Sequence, residues 1–274
     1  MNKRVIAQGL AWCAAFGTAT FAYADDVAAT LTTSSQTTDS ATAAADPDWK
    51  VAIGPGFYLA PAYPGARRLK VYPFPSLDIS YKDRVFSQGP DVLGVNVIAS
   101  ENYHVGASLS FDFQSRSVSD DSRLRGLGDV DDGPKLRLFA DYTLWAFTGA
   151  IAFYQDISHH GQGKTATADL YASAPLPGWL ISIGPGLTWG NALYTQTLFG
   201  VTQQQSAASG LSPYTASAGI RDVHATFYAQ HDISKHWVGT VNTTLGRLEH
   251  DAAGSPITER RRELTTFAAL DYKF

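Results

Sequence analysis

From Trp49 onward, apolar and polar residues alternate with a period of two. Over residues 103–114, Tyr103, Val105, Ala107, Leu109, Phe111 and Phe113 share one face. His104, Gly106, Ser108, Ser110, Asp112 and Gln114 share the other. Residues 135–145 repeat the pattern, with Leu136, Leu138, Ala140, Tyr142 and Leu144 against Lys135, Arg137, Asp141 and Thr143. So do residues 179–189, with Ile181, Ile183 and Leu187 against Ser182, Gly184, Gly186 and Thr188. Successive side chains of a strand point to opposite faces, so each segment is a strand with one apolar and one polar face.

The pattern predicts twelve strands, over residues 49–59, 69–81, 84–88, 91–98, 102–114, 135–145, 147–158, 164–175, 179–190, 220–232, 236–249 and 263–274. Tight connections ("KD", "SEN", the junction after Trp145, "PLPG", "SKH") alternate with longer ones, of which "HHGQG" is the shortest. Short turns on one rim and long loops on the other is the layout of an all-β, transmembrane antiparallel barrel of the outer-membrane kind. An even strand count places both ends of the barrel on the periplasmic rim. A soluble β-sandwich also alternates, but its strands run about 5–6 residues. Most of those predicted here reach the ~9–11 residues that cross a bilayer at a tilt. Trp49, Trp145, Trp179, Trp189 and Trp237 fall at strand ends, where an aromatic girdle lies.

In lipid every backbone polar group must be paired within the protein, so the last strand is expected to close onto the first. Leu270, Tyr272 and Phe274 then face lipid, with Asp271 and Lys273 turned inward. An aromatic residue preceded by apolar residues at alternate positions resembles the signal that the barrel-assembly machinery reads. Leu270, Tyr272 and Phe274 are the candidate closure and assembly residues.

The first residues break the alternation. "MNKR", an apolar run and Ala22-Tyr23-Ala24 form the charged, apolar and small-residue parts of a secretory signal peptide over residues 1–24. Trp12 is too bulky to precede an acylated Cys13, which argues against a lipoprotein. Cleavage after Ala24 removes Lys3, Arg4 and the sole cysteine, leaving a more acidic chain without disulfides. Residues 25–48 are small and polar, with five Asp and no Lys or Arg, and are expected to be a disordered periplasmic tail. An acidic balance without basic runs argues against nucleic acid as a partner; lipid is the expected one.

Few stretches suggest chemistry. "IGPG" occurs at residues 53–56 and 183–186, but a phosphate cradle needs such a loop to open a helix. Inside strands the same residues mark curvature. His159-His160 reads as an exposed polar pair. Asp120, Asp121, Asp129, Asp131 and Asp132 are spaced unlike a calcium loop, and Arg123 and Arg125 are expected to neutralise several of them. Lys50, Lys70, Asp78, Asp112, Arg137, Asp141, Asp169, His224, Asp232 and Arg247 are expected to line the lumen. A twelve-stranded barrel falls between filled eight-stranded barrels and open porins. No persuasive set of Ser, His and Asp positions converging at one depth is read from the sequence, so no catalytic, cofactor or metal residues are assigned.

"RLRGLGDVD" at 123–131 and "QTLFGVTQQQSAASGLSPYTASAGIRDV" at 196–223 resemble the signature stretches of the MipA/OmpV family of MltA-interacting proteins. "YPGARR", "YPFPSLDISYKDRVF", "SPIT" and the closing "YKF" match as well, so the resemblance covers residues 49–274. Its signature positions are Arg125, Gly126, Gly128, Asp129, Asp131, Phe199, Gly200, Ser206, Gly210, Tyr214 and Asp222. The resemblance implies a Gram-negative outer-membrane barrel, and the family has no established catalytic residues to carry over. It also implies a scaffold that links a lytic transglycosylase to a murein synthase; porin-like and adhesive roles are the alternatives.

Overall fold

Pairing of the last strand with the first, Ile53 opposite Tyr272 and Phe57 opposite Ala268, closes a single antiparallel barrel of twelve strands. The computed structural model describes residues 48–274. The expected leader and, apart from Asp48, the acidic tail lie outside the described residues. The strands are β1 (Trp49–Pro61), β2 (Leu69–Tyr81), β3 (Val85–Gln88), β4 (Asp91–Ala99), β5 (Tyr103–Asp112) and β6 (Gly133–Leu144). They continue as β7 (Phe147–Asp156), β8 (Lys164–Leu176), β9 (Trp179–Gly190), β10 (Gly219–Asp232), β11 (Trp237–Leu248) and β12 (Arg262–Lys273). Strand ends shift from the sequence expectation by one or two residues at most.

The alternation resolves into an apolar outer belt and a polar interior. Val71, Val97, Ile151, Ile183 and Leu245 stand exposed on the outside, while Ser108, Ser110, Thr148, Ser182 and Thr240 are buried within. On β12, Leu270 is exposed and Asp271 and Lys273 are buried; the next residue, Phe274, is exposed, and the Tyr272 ring packs edge-on against it at 5.1 Å. Arg247 does not line the lumen as expected. On β11 the inward residues are Thr240, Asn242, Thr244, Gly246 and Leu248, so Arg247 points out and its Nε lies 3.5 Å from Glu249.

One rim carries only tight connections, among them the β2–β3 turn, in which Lys82 and Asp83 both have positive φ and Arg84 N donates to Tyr81 O. Two left-handed residues match the twist of the flanking strands. The opposite rim carries the longer loops, with one exception. Between β3 and β4 only Gly89 and Pro90 intervene, so this hairpin stops well short of its neighbours.

The interior is filled through its middle by an aromatic layer of Tyr58, Tyr171, Tyr228 and Phe267, packed with Ala60, Ala150 and Ala269. Phe74 stacks on Phe267 at 5.6 Å. Below it, short polar pairs bridge neighbouring strands: Gln88 with Asp78 at 2.5 Å, Ser173 with Ser182 at 2.7 Å, and Thr143 with Thr148 at 2.7 Å. Both "IGPG" segments lie inside strands. A Cβ on Gly54 would overlap the Leu270 carbonyl and one on Gly184 the Leu170 carbonyl, so each glycine permits close approach of the neighbouring strand.

Candidate functional site: the outer cap and the cavity beneath it

The longest loop, 191–218, folds because it carries its own helix signals. Asn191 caps the helix Ala192–Phe199, its side chain accepting from Tyr194 N at 3.0 Å. Thr202 and Gln205 form a reciprocal capping box for the helix Gln203–Ser209, which ends at Gly210 with φ 75°. Gln205 Nε2 also donates to Leu127 O at 2.6 Å, tying this loop to the 113–132 loop. Gly126, at φ 86°, lies so close to the Ala208 backbone that a Cβ would fall 2.6 Å from it.

Two small apolar cores consolidate this cap. One joins Tyr63, Leu124, Leu127, Val201 and Ile257; the other joins Val130, Tyr194, Leu198, Phe199, Leu248 and Ala252. Ser255 Oγ donates to Phe199 O at 2.6 Å, and Tyr214 OH to Asp251 O at 3.0 Å. Arg116, fully buried in the cap, donates to Leu198 O at 2.9 Å, and burial lowers its guanidinium pKa to about 10. Burial also raises the Tyr63 phenol, which donates to Glu259 Oε1 at 2.7 Å, a bond that works in the same direction.

The acidic stretch is neutralised differently from expectation. Asp120 pairs with Lys70 and, at 3.8 Å, with Arg68. Arg123 reaches Glu259 at 3.5 Å instead of its neighbouring aspartates. Asp121 caps the 3-10 turn Ser122–Leu124, and Asp129 accepts from Val118 N at 2.6 Å. Local spacing places the countercharges within the stretch, whereas Arg68, Lys70 and Glu259, far away along the chain, supply the partners. His159 and His160 are exposed, and His160 Nδ1 lies 3.2 Å from Asp132 O.

Of the signature positions, Phe199, Gly200 and Tyr214 lie within the packed cap, Gly126 is exposed but lies against the Ala208 backbone, and Ser206 O accepts from Gly210 N at 2.9 Å. Arg125, Gly128, Asp129 and Asp131 are exposed, though Asp131 O accepts from Gln162 Nε2 at 2.6 Å. Asp222 alone sits in the lumen, at the head of β10.

Beneath the cap lies a cavity of about 190 Å³. His224 Nδ1 lies 2.8 Å from Asp222 Oδ1, and its Nε2 lies 2.9 Å from Asp169 Oδ1. Arg221 pairs with Asp222 and donates to Gln114 Oε1 at 2.5 Å and to Tyr194 OH at 2.8 Å. Glu263 accepts from Gly65 N at 2.7 Å, and Lys135 pairs with Asp112. Both ring nitrogens of His224 face carboxylates, so neither is placed to take a proton from a hydroxyl nucleophile. The arrangement presents paired carboxylates, a guanidinium and an imidazole to the cavity.

Parity places Asp112, Gln114, Asp169 and His224 on the inner face; Arg221, Tyr194 and Glu263 join them here without having been expected. Glu263 shares the parity of Asp271 and Lys273, which is a usable signal. Arg221 has outward parity. A register shift against β9 between Ile220 and Asp222 accompanies its turn into the lumen.

A closed antiparallel barrel with an apolar belt, a polar interior and long loops on one rim defines an outer-membrane β-barrel. The chain belongs to the MltA-interacting protein MipA family, whose family model matches residues 53–274. None of the curated proteins matches it. Among solved structures it is similar to the COG4313 outer membrane channel from Pseudomonas putida F1, at 15% identity and TM-score 0.42, over 87% of this chain and 100% of that one. It is also similar to OprD from Pseudomonas aeruginosa, at 12% identity and TM-score 0.35, over 81% of this chain and 65% of that one. Likeness to Salmonella typhi OmpF, at 14% identity and TM-score 0.31, covers 73% of this chain and spans half of the OmpF chain.

Proposed function

We propose that this barrel is a non-enzymatic scaffold of the Gram-negative outer membrane. It holds a lytic transglycosylase together with a murein synthase during peptidoglycan remodelling. The observation that carries the reading is the packing of the interior. Tyr58, Tyr171, Tyr228 and Phe267 fill the middle of the barrel, and a folded cap covers its outer mouth. A barrel built this way spends its lumen on rigidity. The family description as an MltA-interacting protein supports the partner class, because MltA is a lytic transglycosylase. A periplasmic partner meets the inner rim, where the β2–β3 turn is tied to the start of β1 by the pairs Lys50–Asp83 at 3.5 Å and Lys82–Asp48 at 3.3 Å.

A narrow channel for small solutes is the alternative, favoured by the polar cavity beneath the cap; adhesion through the cap is a third. Two measurements separate them. The refolded barrel in planar bilayers is expected to show no discrete conductance steps, and immobilised barrel is expected to retain a lytic transglycosylase from envelope extracts. Steps with ion preference and no retention would establish the channel instead.

A further inference from the structure

The barrel wall has a window. Pairing between β2 and β3 ends at Asp78 opposite Gln88, because β3 contains four residues and turns at Gly89 and Pro90. Residues 69–77 of β2 therefore have β1 on one side and no strand on the other. The gap is framed below by the Gly89–Pro90 turn, where Phe111 N donates to Pro90 O at 2.8 Å, and above by the Lys70–Asp120 ion pair.

The sequence of β2 is adapted to this opening. Lys82 N donates to Asp48 O, next to β1, which fixes the direction of each backbone group along β2. Those directions alternate along a strand, so odd-numbered residues direct theirs toward the gap. Pro73 and Pro75 are odd-numbered. At two positions where lipid offers no acceptor, there is no N–H to satisfy.

Aromatic rings fill the window from outside to inside. Phe111 is 37% exposed on the outer surface, yet it also lines the cavity. Phe113 shares its parity, but its ring turns inward, 5.5 Å from Tyr58 and 6.4 Å from Tyr72, both residues of the inner face. Phe111 and Phe113 are themselves 5.8 Å apart. Four rings thus lead from the lipid face to the cavity.

The cavity's lining favours a cation. Asp112, Asp169, Asp222 and Glu263 line it against Arg221 and His224. Asp169 is 8% exposed, and its Oδ2 has no hydrogen-bond partner among the described residues. An orphan buried carboxylate oxygen calls for a donor. A cavity of about 150 Å³ holds a benzene-sized molecule, and this one is somewhat larger. We infer that a compact apolar amine enters the lumen from the membrane through the gap between β2 and β5, and binds with its ammonium group against Asp169. Aromatic faces along the route attract the same cation. The inference is independent of the scaffold reading, since a barrel that retains no transglycosylase still binds the amine.

The test uses the refolded full barrel in neutral detergent with 2-phenylethylamine, 2-phenylethanol and phenylacetate at neutral pH. Saturable binding is expected for the amine, at least tenfold tighter than for the alcohol, with none for phenylacetate. This order is read on the unaltered protein and does not depend on any variant folding. Asp169→Asn is expected to weaken amine binding about tenfold and abolish the preference over the alcohol. In lipid vesicles, Phe113→Ala is expected to speed amine association severalfold, while Phe113→Leu keeps the wild-type rate. Equal affinity for all three compounds, or no saturable binding, would overturn the site. An association rate unaffected by Phe113→Ala would overturn the route.

Discussion

Asp169 and His224 meet across a glycine. Gly186 of β9 pairs with Asp169 on β8 and with His224 on β10, so the two side chains flank it from opposite strands. Without a side chain between them, His224 Nε2 reaches Asp169 Oδ1 at 2.9 Å; a Cβ on Gly186 would overlap both groups. Gly186→Ala is therefore expected to force the pair apart and to destabilise the barrel by about 3 kcal/mol, the scale of breaking a buried charged contact. Gly149, whose Cβ position is open, serves as the control: Gly149→Ala should stay within roughly 1 kcal/mol of wild type. Urea unfolding in lipid vesicles measures both.

Arg137 and Asp91 form a second buried pair, with Nη1 to Oδ2 at 2.7 Å and each side chain at most 3% exposed. Arg137→Met leaves the Asp91 carboxylate with Ser108 Oγ at 2.9 Å as its remaining partner of this group. The expected loss is about 3–5 kcal/mol. Asp91→Leu added to Arg137→Met should recover most of it, because no uncompensated charge then remains. If the double variant is as unstable as the single one, packing of the guanidinium on the Phe139 ring, 4.3 Å away, is the larger contribution.

In the cap, Gly126 combines a left-handed backbone with close approach to Ala208. Gly126→Ala should cost about 1–2 kcal/mol for backbone conformation alone, and should also push the helix Gln203–Ser209 off the 113–132 loop. The expected readout is faster proteolytic cleavage within residues 203–209, with heat-modifiable gel mobility unchanged because the strands are untouched.

Phe274 N donates to Val51 O at 3.0 Å, and its side chain is 75% exposed at the barrel's inner rim. A side chain so placed adds little to the packed interior. Deleting Phe274 is therefore expected to lower the amount of assembled barrel in membranes severalfold, while the fraction that assembles unfolds at a nearly normal urea midpoint. Normal assembly would assign Phe274 no role in assembly.

The barrel itself was legible in the residues because a strand between lipid and an aqueous or polar lumen must alternate, and because lipid forbids unpaired strand edges. Leu270, Asp271 and Lys273 took the faces their parity assigned. The same rule located Asp112, Asp169 and His224 in the lumen. Parity is a local property, however, and it failed for Arg221, beside the register shift in β10, and for Phe113, which leaves the lipid face at the end of β5. At both places the regular ladder is interrupted or has ended.

What the sequence determined by itself is thus the class of architecture, the strand count and the inward or outward sense of most residues, all consequences of period-two chemistry in a bilayer. What only the tertiary structure decided is which residues become partners. Lys70 neutralises Asp120, Arg123 turns to Glu259, and Gln205 bonds Leu127 across separate loops. The window beside β2 also emerged only there, since a strand's open side depends on how far its neighbour extends. Such contacts are set by closure of the whole barrel, in which residues far apart along the chain come to share one depth and one face.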